Sequence, residues 1–276
     1  MPIENSFIFF PTTYPEGDWD TPMHGSDDGP LVEDCEFHTS DGVRLHGWYC
    51  HPTGGKEGDA AVTPGTLLWC HGNAGNITHR YEMIKQFTQL PLAVFLFDYR
   101  GYGRSDGKPS EAGLCMDAEA TWAYLVEKRC IPAQQIVVLG KSIGAVPALD
   151  LASRRSPAGL IIDSAFTCLS DMARVHMPLA PRFLLRTKLD AIGRVGQVAC
   201  PKLFIHSRAD EIVPFELGQR LYQTAAEPKA FLPIEDMGHN DIHLATEGIY
   251  YERIHQFALH CMAEHACSDP PTTATT

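Results

Sequence analysis

A serine held between glycines, in Gly140-Lys141-Ser142-Ile143-Gly144, has the residue type and setting that suit a nucleophile. The pattern G-x-S-x-G is typical of a strained turn between a strand and a helix, where the neighbouring side chains must be small. Here β-branched residues precede the turn and small residues follow it. The serine hydroxyl then projects over the sheet, near the positive end of the next helix. The pattern therefore predicts that Ser142 is a nucleophile.

A serine hydroxyl at neutral pH needs a base to accept its proton and an acid to orient that base. In chains with this turn, the acid and then the histidine follow the serine in sequence. His239 lies in a loop after the apolar run Lys229–Ile234, and parallel sheets carry their sites in such loops. We therefore predict that His239 is the base. The other histidines of this region fall in a predicted C-terminal helix or just after it: His243, His255, His260 and His265.

Two aspartates are candidates for the acid. Asp210 follows the apolar run Lys202–Ser207 and lies just before a predicted helix. Asp163 also ends an apolar run and stays open as the alternative. The order of elements favours Asp210, because its strand is the one nearest the histidine loop. If Asp210 faces the site, the adjacent Glu211 is expected to point elsewhere.

The oxyanion of a tetrahedral intermediate needs preorganised N–H donors. One donor is expected from Ile143, the residue after the serine, and the other from the loop after the first parallel strand. That loop reads Cys70-His71-Gly72-Asn73-Ala74-Gly75-Asn76, and its glycines allow the backbone to turn its amides toward a ligand. We predict Asn73 as the second donor, with Ala74 as the alternative. Asn76 can cap the helix that follows.

The elements that must position these residues alternate between short apolar runs and helical stretches. This alternation predicts an α/β fold with a mostly parallel, twisted sheet and helices on both faces. An antiparallel hairpin over Cys35–Thr39 and Val43–Cys50 is predicted before it. The predicted parallel strands are Thr66–Cys70, Leu92–Asp98, Ile136–Gly140, Gly159–Asp163, Lys202–Ser207 and Lys229–Ile234. The predicted helices are Ile77–Leu90, Ser110–Lys128, Gly144–Ser153, Pro214–Ala226 and His243–Glu264.

The remaining segments divide the chain around one predicted domain, residues 34–264. Residues 1–33 are rich in Pro, Gly and Asp and are expected to be irregular, although Phe7 to Phe10 could dock on the domain. The long connection 165–199 is expected to be a small lid or a plain crossover on the sheet. The polar tail 265–276 is expected to be disordered.

Composition excludes several classes of protein. The chain has 276 residues, 22 Lys+Arg and 34 Asp+Glu, and thus a net charge of −12. Such a balance, without a basic cluster, argues against a nucleic-acid partner. No apolar stretch is long enough for a membrane span, and the N-terminus does not resemble a signal peptide. The nine cysteines show no CxxC spacing, so reduced thiols and a cytoplasmic location are expected.

Five motifs in order give the chain a family resemblance: HGNAGN, FDYRGYGRSDG, GKSIGA, HSRADEIVP and GHND. Together they resemble the α/β-hydrolase-fold serine hydrolases, in a subgroup of small, minimally lidded proteins with bacterial and eukaryotic members. The resemblance implies a triad of Ser142, Asp210 and His239, with Asn73 and Ile143 at the oxyanion hole. Ser207 departs from the glycine usual in relatives. The membrane helix or Cys-rich N-terminus of eukaryotic relatives is absent, so the resemblance does not imply palmitoyl-protein substrates.

The predicted activity is hydrolysis of small carboxylic esters or thioesters through an acyl-enzyme, without metal or organic cofactor. The alternatives are an amide or peptide hydrolase with the same triad and a non-catalytic binding protein of this fold. A metal hydrolase built on His239 and His243 is disfavoured, because Asn240 stands where such a motif needs glutamate. A cysteine nucleophile is also disfavoured, because no cysteine occupies the turn. The oligomeric state stays open.

Overall fold

The computed structural model of the protein describes residues 5–20, 29–53, 65–177, 185–245 and 248–266. These residues contain one eight-stranded sheet with the strand order β1-β2-β4-β3-β5-β6-β7-β8. The strands are β1 Val32–His38, β2 Arg44–Cys50, β3 Thr66–Cys70, β4 Ala93–Asp98, β5 Ile136–Lys141, β6 Gly159–Asp163, β7 Lys202–Ser207 and β8 Lys229–Ile234.

Strand direction follows the pattern predicted from the sequence. β2 pairs antiparallel with both β1 and β4, and the pairs from β4 to β8 are parallel. The central strands are apolar on successive residues because both of their faces are covered. The mostly parallel sheet with an antiparallel start is confirmed.

Helices cover both faces of the sheet. Consecutive residues of β3 point to opposite sides, with Leu68 in one buried cluster and Leu67 in the other. The helices are α1 Asn5–Ile8, α2 Tyr81–Thr88, α3 Glu111–Ala123, α4 Ala145–Arg154, α5 Leu169–His176, α6 Ile192–Val195, α7 Phe215–Thr224 and α8 Ile249–Ala266. The first cluster includes residues of α3, α4, α6 and α7, and the second includes residues of α2 and α8.

The C-terminal helix begins later than the sequence pattern predicted. A single 3-10 turn covers Ile242–Leu244, and α8 starts at Ile249, directly after Gly248 with its φ of +70°. Glycine adopts this left-handed conformation at little cost, which separates the turn from the helix. Of the predicted polar tail, residues 267–276 lie outside the described residues.

The connection 165–199 contains two short helices, α5 and α6. Its segment 178–184, which includes both prolines, lies outside the described residues. Among the described residues, no helix has the length and apolar character required to cross a bilayer.

Residues 5–14, here named the N-terminal strap, begin with the one-turn helix α1 and pack on the domain. Phe9 is 3% exposed and belongs to a buried cluster, whereas Phe7 and Phe10 are exposed. Pro11 and Thr13 form isolated parallel bridges with Gly75 and Gly103, so the strap lies along the loops at the sheet edge.

The sheet reverses its winding between β3 and β5. β4 lies on one side of β3 and β5 on the other, and Cys70 is the register partner of Gly140. The loops after β3 and β5 therefore diverge from neighbouring positions at the carboxyl ends of the strands. Ligands of open α/β sheets bind at such a switch point.

Candidate active site

Ser142 lies in a left-handed turn directly after β5, with a φ of +54°. A non-glycine residue in this conformation is strained, and the packing around it explains both flanking glycines. A Cβ at Gly140 would lie 2.7 Å from the Cα of Ala145, and a Cβ at Gly144 would lie 2.1 Å from the carbonyl oxygen of Cys70. The turn can therefore form only with glycine at these positions. It leads into α4, whose positive end lies beside the serine.

Asp210 and His239 contact each other through their side chains. The carboxylate Oδ2 of Asp210 lies 2.7 Å from Nδ1 of His239. Its Oδ1 accepts hydrogen bonds from the backbone N–H groups of Ile212 and Val213. Burial raises the pKa of Asp210, but contacts from His206 and His239 outweigh it and hold that pKa well below its usual range. A carboxylate therefore faces Nδ1, and Nε2 has no hydrogen-bond partner among the described residues.

The backbone of the histidine loop is held by two side chains near Asp210. Glu211 accepts a hydrogen bond from the N–H of His239 at 3.1 Å. The expectation that Glu211 points elsewhere is therefore wrong: its side chain turns back to the loop because Asp210 occupies the ring. Ser207, which departs from the usual glycine, accepts hydrogen bonds from the N–H groups of Ala209 and Met237 and so links the two loops.

The loop after β3 lies against the serine turn. A Cβ at Gly72 would stand 3.9 Å from the Cβ of Ser142. The backbone N–H of Asn73 donates no hydrogen bond to the described part of the chain. Ile143 is the second residue of the 3-10 turn Ser142–Gly144, where N–H groups lack intrahelical partners. One predicted oxyanion donor thus lies in the serine turn itself, and the other lies on the loop that borders it. Ala74, the alternative donor, is next along the same loop and is exposed.

The side chain of Asn73 binds the N-terminal strap, a role that sequence reasoning missed. Its Nδ2 donates to the carbonyl of Ile8 at 2.6 Å, and its Oδ1 accepts from the N–H of Phe10 at 3.2 Å. The hydroxyl of Tyr102 also donates to Oδ1 at 3.0 Å. These two hydrogen bonds reach backbone groups two residues apart, so the Asn73 side chain fixes the strap to the loop. No sequence signal connects residues this far apart.

Asp163, the alternative acid, does not contact the ring of His239. Its Oδ2 instead accepts hydrogen bonds from the Lys141 ammonium and the Tyr250 hydroxyl, each at 2.9 Å. Its Oδ1 accepts from Ser164 at 2.8 Å. Both oxygens of this buried carboxylate therefore accept hydrogen bonds from side chains other than His239.

His243, the second histidine of the disfavoured metal motif, has a buried Nδ1 without a partner in the described structure. Burial and the nearby Lys141 cation lower the pKa of His243. The described residues contain no group of three His, Cys, Asp or Glu side chains placed to hold a metal ion.

The geometry gathers the predicted residues at one edge of the sheet. Ser142 follows β5, Asp210 follows β7 and His239 follows β8, while Asn73 follows β3. A hydroxyl on a strained turn, an imidazole oriented by a carboxylate and backbone N–H groups near the hydroxyl are the components that acyl transfer requires.

Comparison with known proteins adds independent observations. Residues 62–191 match the family described as serine aminopeptidase, S33. The uncharacterized protein Rv2307c of Mycobacterium tuberculosis is 40% identical over 229 residues, 83% of this chain and 79% of that protein. Human alpha/beta hydrolase domain-containing protein 17B is 36% identical over 195 residues, 70% of this chain and 65% of that protein.

A solved structure shares the fold. The esterase Pf2001 of Pyrococcus furiosus superposes with a TM-score of 0.73 at 22% identity, covering 92% of this chain and 99% of that one. At this identity the similarity shows the fold alone. The sheet order, the matched sequence family and these relatives agree with one another, and they show that this chain belongs to the α/β-hydrolase family.

Proposed function

We propose that the protein is a serine hydrolase that cleaves small carboxylic esters or thioesters. The observation that carries the proposal is the 2.7 Å contact between Asp210 and His239, and the left-handed turn at Ser142 supports it. A buried carboxylate on Nδ1 fixes the tautomer in which Nε2 can accept a proton. Membership of a hydrolase family and the esterase-like fold support the same reaction class.

In the proposed first step, the Oγ of Ser142 attacks the acyl carbon while His239 takes its proton. The oxyanion that forms accepts hydrogen bonds from the N–H groups of Ile143 and Asn73. His239 then gives its proton to the leaving alcohol or thiol, and the acyl group stays on Ser142. Asp210 remains ionised and stabilises the imidazolium.

In the proposed second step, His239 takes a proton from water, and the resulting hydroxide equivalent attacks the acyl-enzyme. The second oxyanion uses the same donors. Its collapse releases the carboxylic acid and returns the proton to Ser142. Neither step needs a metal or an organic cofactor.

Labelling with a fluorophosphonate probe tests the proposal. The parent protein should be labelled, and Ser142→Ala should lose the label. Ser153→Ala is the matched control, because Ser153 is also half-buried and lies at the far end of α4, where its hydroxyl donates to the carbonyl of Asp150. It should label like the parent. A folded parent that takes no label would favour the non-catalytic binding protein.

The substrate class is tested with matched leaving groups. We expect p-nitrophenyl esters and acyl thioesters to be hydrolysed faster than the corresponding p-nitroanilides. Because the matched family is described as a serine aminopeptidase, aminoacyl p-nitroanilides belong in the series. Faster turnover of those amides would replace the esterase proposal with the amide-hydrolase alternative.

A further inference from the structure

Lys141, the residue directly before the proposed nucleophile, carries a buried ammonium group. Its side chain is 9% exposed. Lysine seldom lies this deep unless its charge is paired, because taking an ammonium out of water is costly. Here Nζ donates to Asp163 Oδ2 at 2.9 Å and to the backbone carbonyl of His239 at 3.3 Å.

The pairing of Lys141 with Asp163 is set by the sheet itself. The two residues are register partners at the ends of the parallel strands β5 and β6. Asp163 is fully buried and is fixed further by Tyr250 from α8 and by Ser164. The ammonium is therefore anchored on a rigid part of the fold, and its remaining contact reaches out to the histidine loop.

The contact with His239 connects the two reacting side chains of the proposed mechanism. Lys141 is bonded to Ser142 through the chain and to the His239 carbonyl through Nζ, across 98 residues of sequence. Glu211 holds the N–H of the same residue, and Asp210 holds its ring. The Lys141 contact is the one of these three that comes from the strand carrying the serine.

We propose that Lys141 is a positioning residue, which sets the separation between Ser142 and His239 by holding the His239 carbonyl from the end of β5. The inference rests on the proposed function, since it assigns Lys141 a part in the same reaction. Misplacing a reacting group by about 1 Å can cost on the order of a hundredfold in rate. Lys141 acts through the histidine loop and does not itself contact the substrate.

Lys202 provides a matched control within the same sheet. It is also buried, and its Nζ donates to two backbone carbonyls, those of Val198 and Cys200. It lies at the first residue of β7, whereas the proposed site lies beyond the carboxyl ends of the strands. Replacement of either lysine by methionine removes a buried cation and its hydrogen bonds, but only one of the two changes touches His239.

The experiment compares Lys141→Met and Lys202→Met with the parent, in full-length protein. For Lys141→Met we expect kcat on a p-nitrophenyl ester to fall by about tenfold to a hundredfold, with KM changed less than threefold. Fluorophosphonate labelling should slow in parallel. Lys202→Met should lower Tm and keep kcat within about threefold. A folded Lys141→Met with parental kcat and labelling rate would overturn the proposal.

The charge of Lys141 gives a second readout that a purely structural role would not move. Lys141→Met leaves the Asp163 carboxylate without its cation, which favours the imidazolium of His239 and moves the acid limb of the pH profile to higher pH. Asp163→Asn leaves the Lys141 ammonium without its anion and moves the same limb to lower pH. Asp163→Asn is nearly isosteric, so it also provides the test if Lys141→Met does not fold. Unshifted profiles in both would contradict the proposal. Within the described residues, the charged and titratable groups around His239 include Asp210, Glu211, Lys141, Asp163, His206, Asp241 and His243.

A third readout does not depend on activity. Hydrogen exchange of the loop peptide 235–245, followed by mass spectrometry, should be faster in Lys141→Met than in Lys202→Met at equal stability. Equal exchange rates in the two variants would show that Lys141 does not order the histidine loop. Failure of the parent to react with the fluorophosphonate probe would instead refute the proposed function, and the exchange result would still decide whether Lys141 orders the loop.

Discussion

Glu211 accepts a hydrogen bond from the backbone N–H of His239 at 3.1 Å, next to the carboxylate that binds the histidine ring. Two consecutive acidic residues thus hold one histidine at two points. Glu211 is exposed, so this hydrogen bond competes with water and contributes less than the buried contact of Asp210.

Glu211→Ala should lower kcat modestly, because the loop loses one of its holds. We expect a fall of about three- to tenfold, with KM nearly unchanged. Glu211→Gln keeps an oxygen that can accept the same N–H and should recover most of the rate. Steady-state kinetics of both variants give the comparison; equal losses in the two would show that charge, and not the hydrogen bond, is what Glu211 supplies.

Because Asp210 stays ionised, we expect the acid side of the kcat/KM pH profile to show a single ionisation. Its folded-state pKa is held below the value of about 4 of a free aspartate, so the carboxylate is ionised throughout the range in which activity is measured. The acid limb of kcat/KM should therefore follow the loss of one proton, from His239. The stabilisation that Asp210 gives is present above about pH 4 and is lost as the pH falls further. A limb that needs two protons would contradict this assignment.

Asn73→Ala should lower kcat because the loop loses its contacts with the N-terminal strap. The variant keeps the backbone N–H that we assign to the oxyanion hole but loses the hydrogen bonds to Ile8, Phe10 and Tyr102. We expect kcat to fall by about tenfold to a hundredfold as the loop loosens. Asn5→Ala is the control, since Asn5 ties the other end of the strap to Pro109 and Thr187. If Asn73→Ala were no slower than Asn5→Ala, the strap would have no specific role at the loop.

Gly144→Ala should destabilise the protein and disrupt the serine turn. The added Cβ would lie 2.1 Å from the Cys70 carbonyl oxygen, so backbone must move. We expect denaturant titrations to show that the free energy of unfolding falls by about 1–3 kcal/mol. Gly196→Ala is a suitable control, because its φ is −70° and its nearest new contact is at 3.6 Å. It should be neutral or stabilising; a similar loss there would remove the steric explanation.

The sequence was most informative where local chemistry decides local structure. Buried parallel strands are continuous apolar runs, and the site residues come directly after them, so strands and motif residues could be located together. The predicted strand Lys202–Ser207 has the bounds found in the structure. The pattern also predicts the helix Ser110–Lys128; in the structure Ser110 caps α3, and a π turn over Tyr124–Lys128 follows it.

Contacts between distant residues could not be predicted in this way. The Lys141 ammonium reaches His239 across 98 residues, and Glu211 reaches it across 28. Such pairs depend on which strand ends adjoin in the folded sheet, and a single sequence carries no record of them. The late start of α8 had a local signal, Gly248, which the apolar pattern around it obscured.

The central claim is that Ser142 forms the acyl-enzyme. It is tested most directly by the initial rate of p-nitrophenyl ester hydrolysis by purified Ser142→Ala beside the parent, with matched circular dichroism spectra. If Ser142 is the nucleophile, kcat falls by at least about 10⁴-fold with the fold intact. A folded Ser142→Ala variant that retains activity within tenfold of the parent would contradict it.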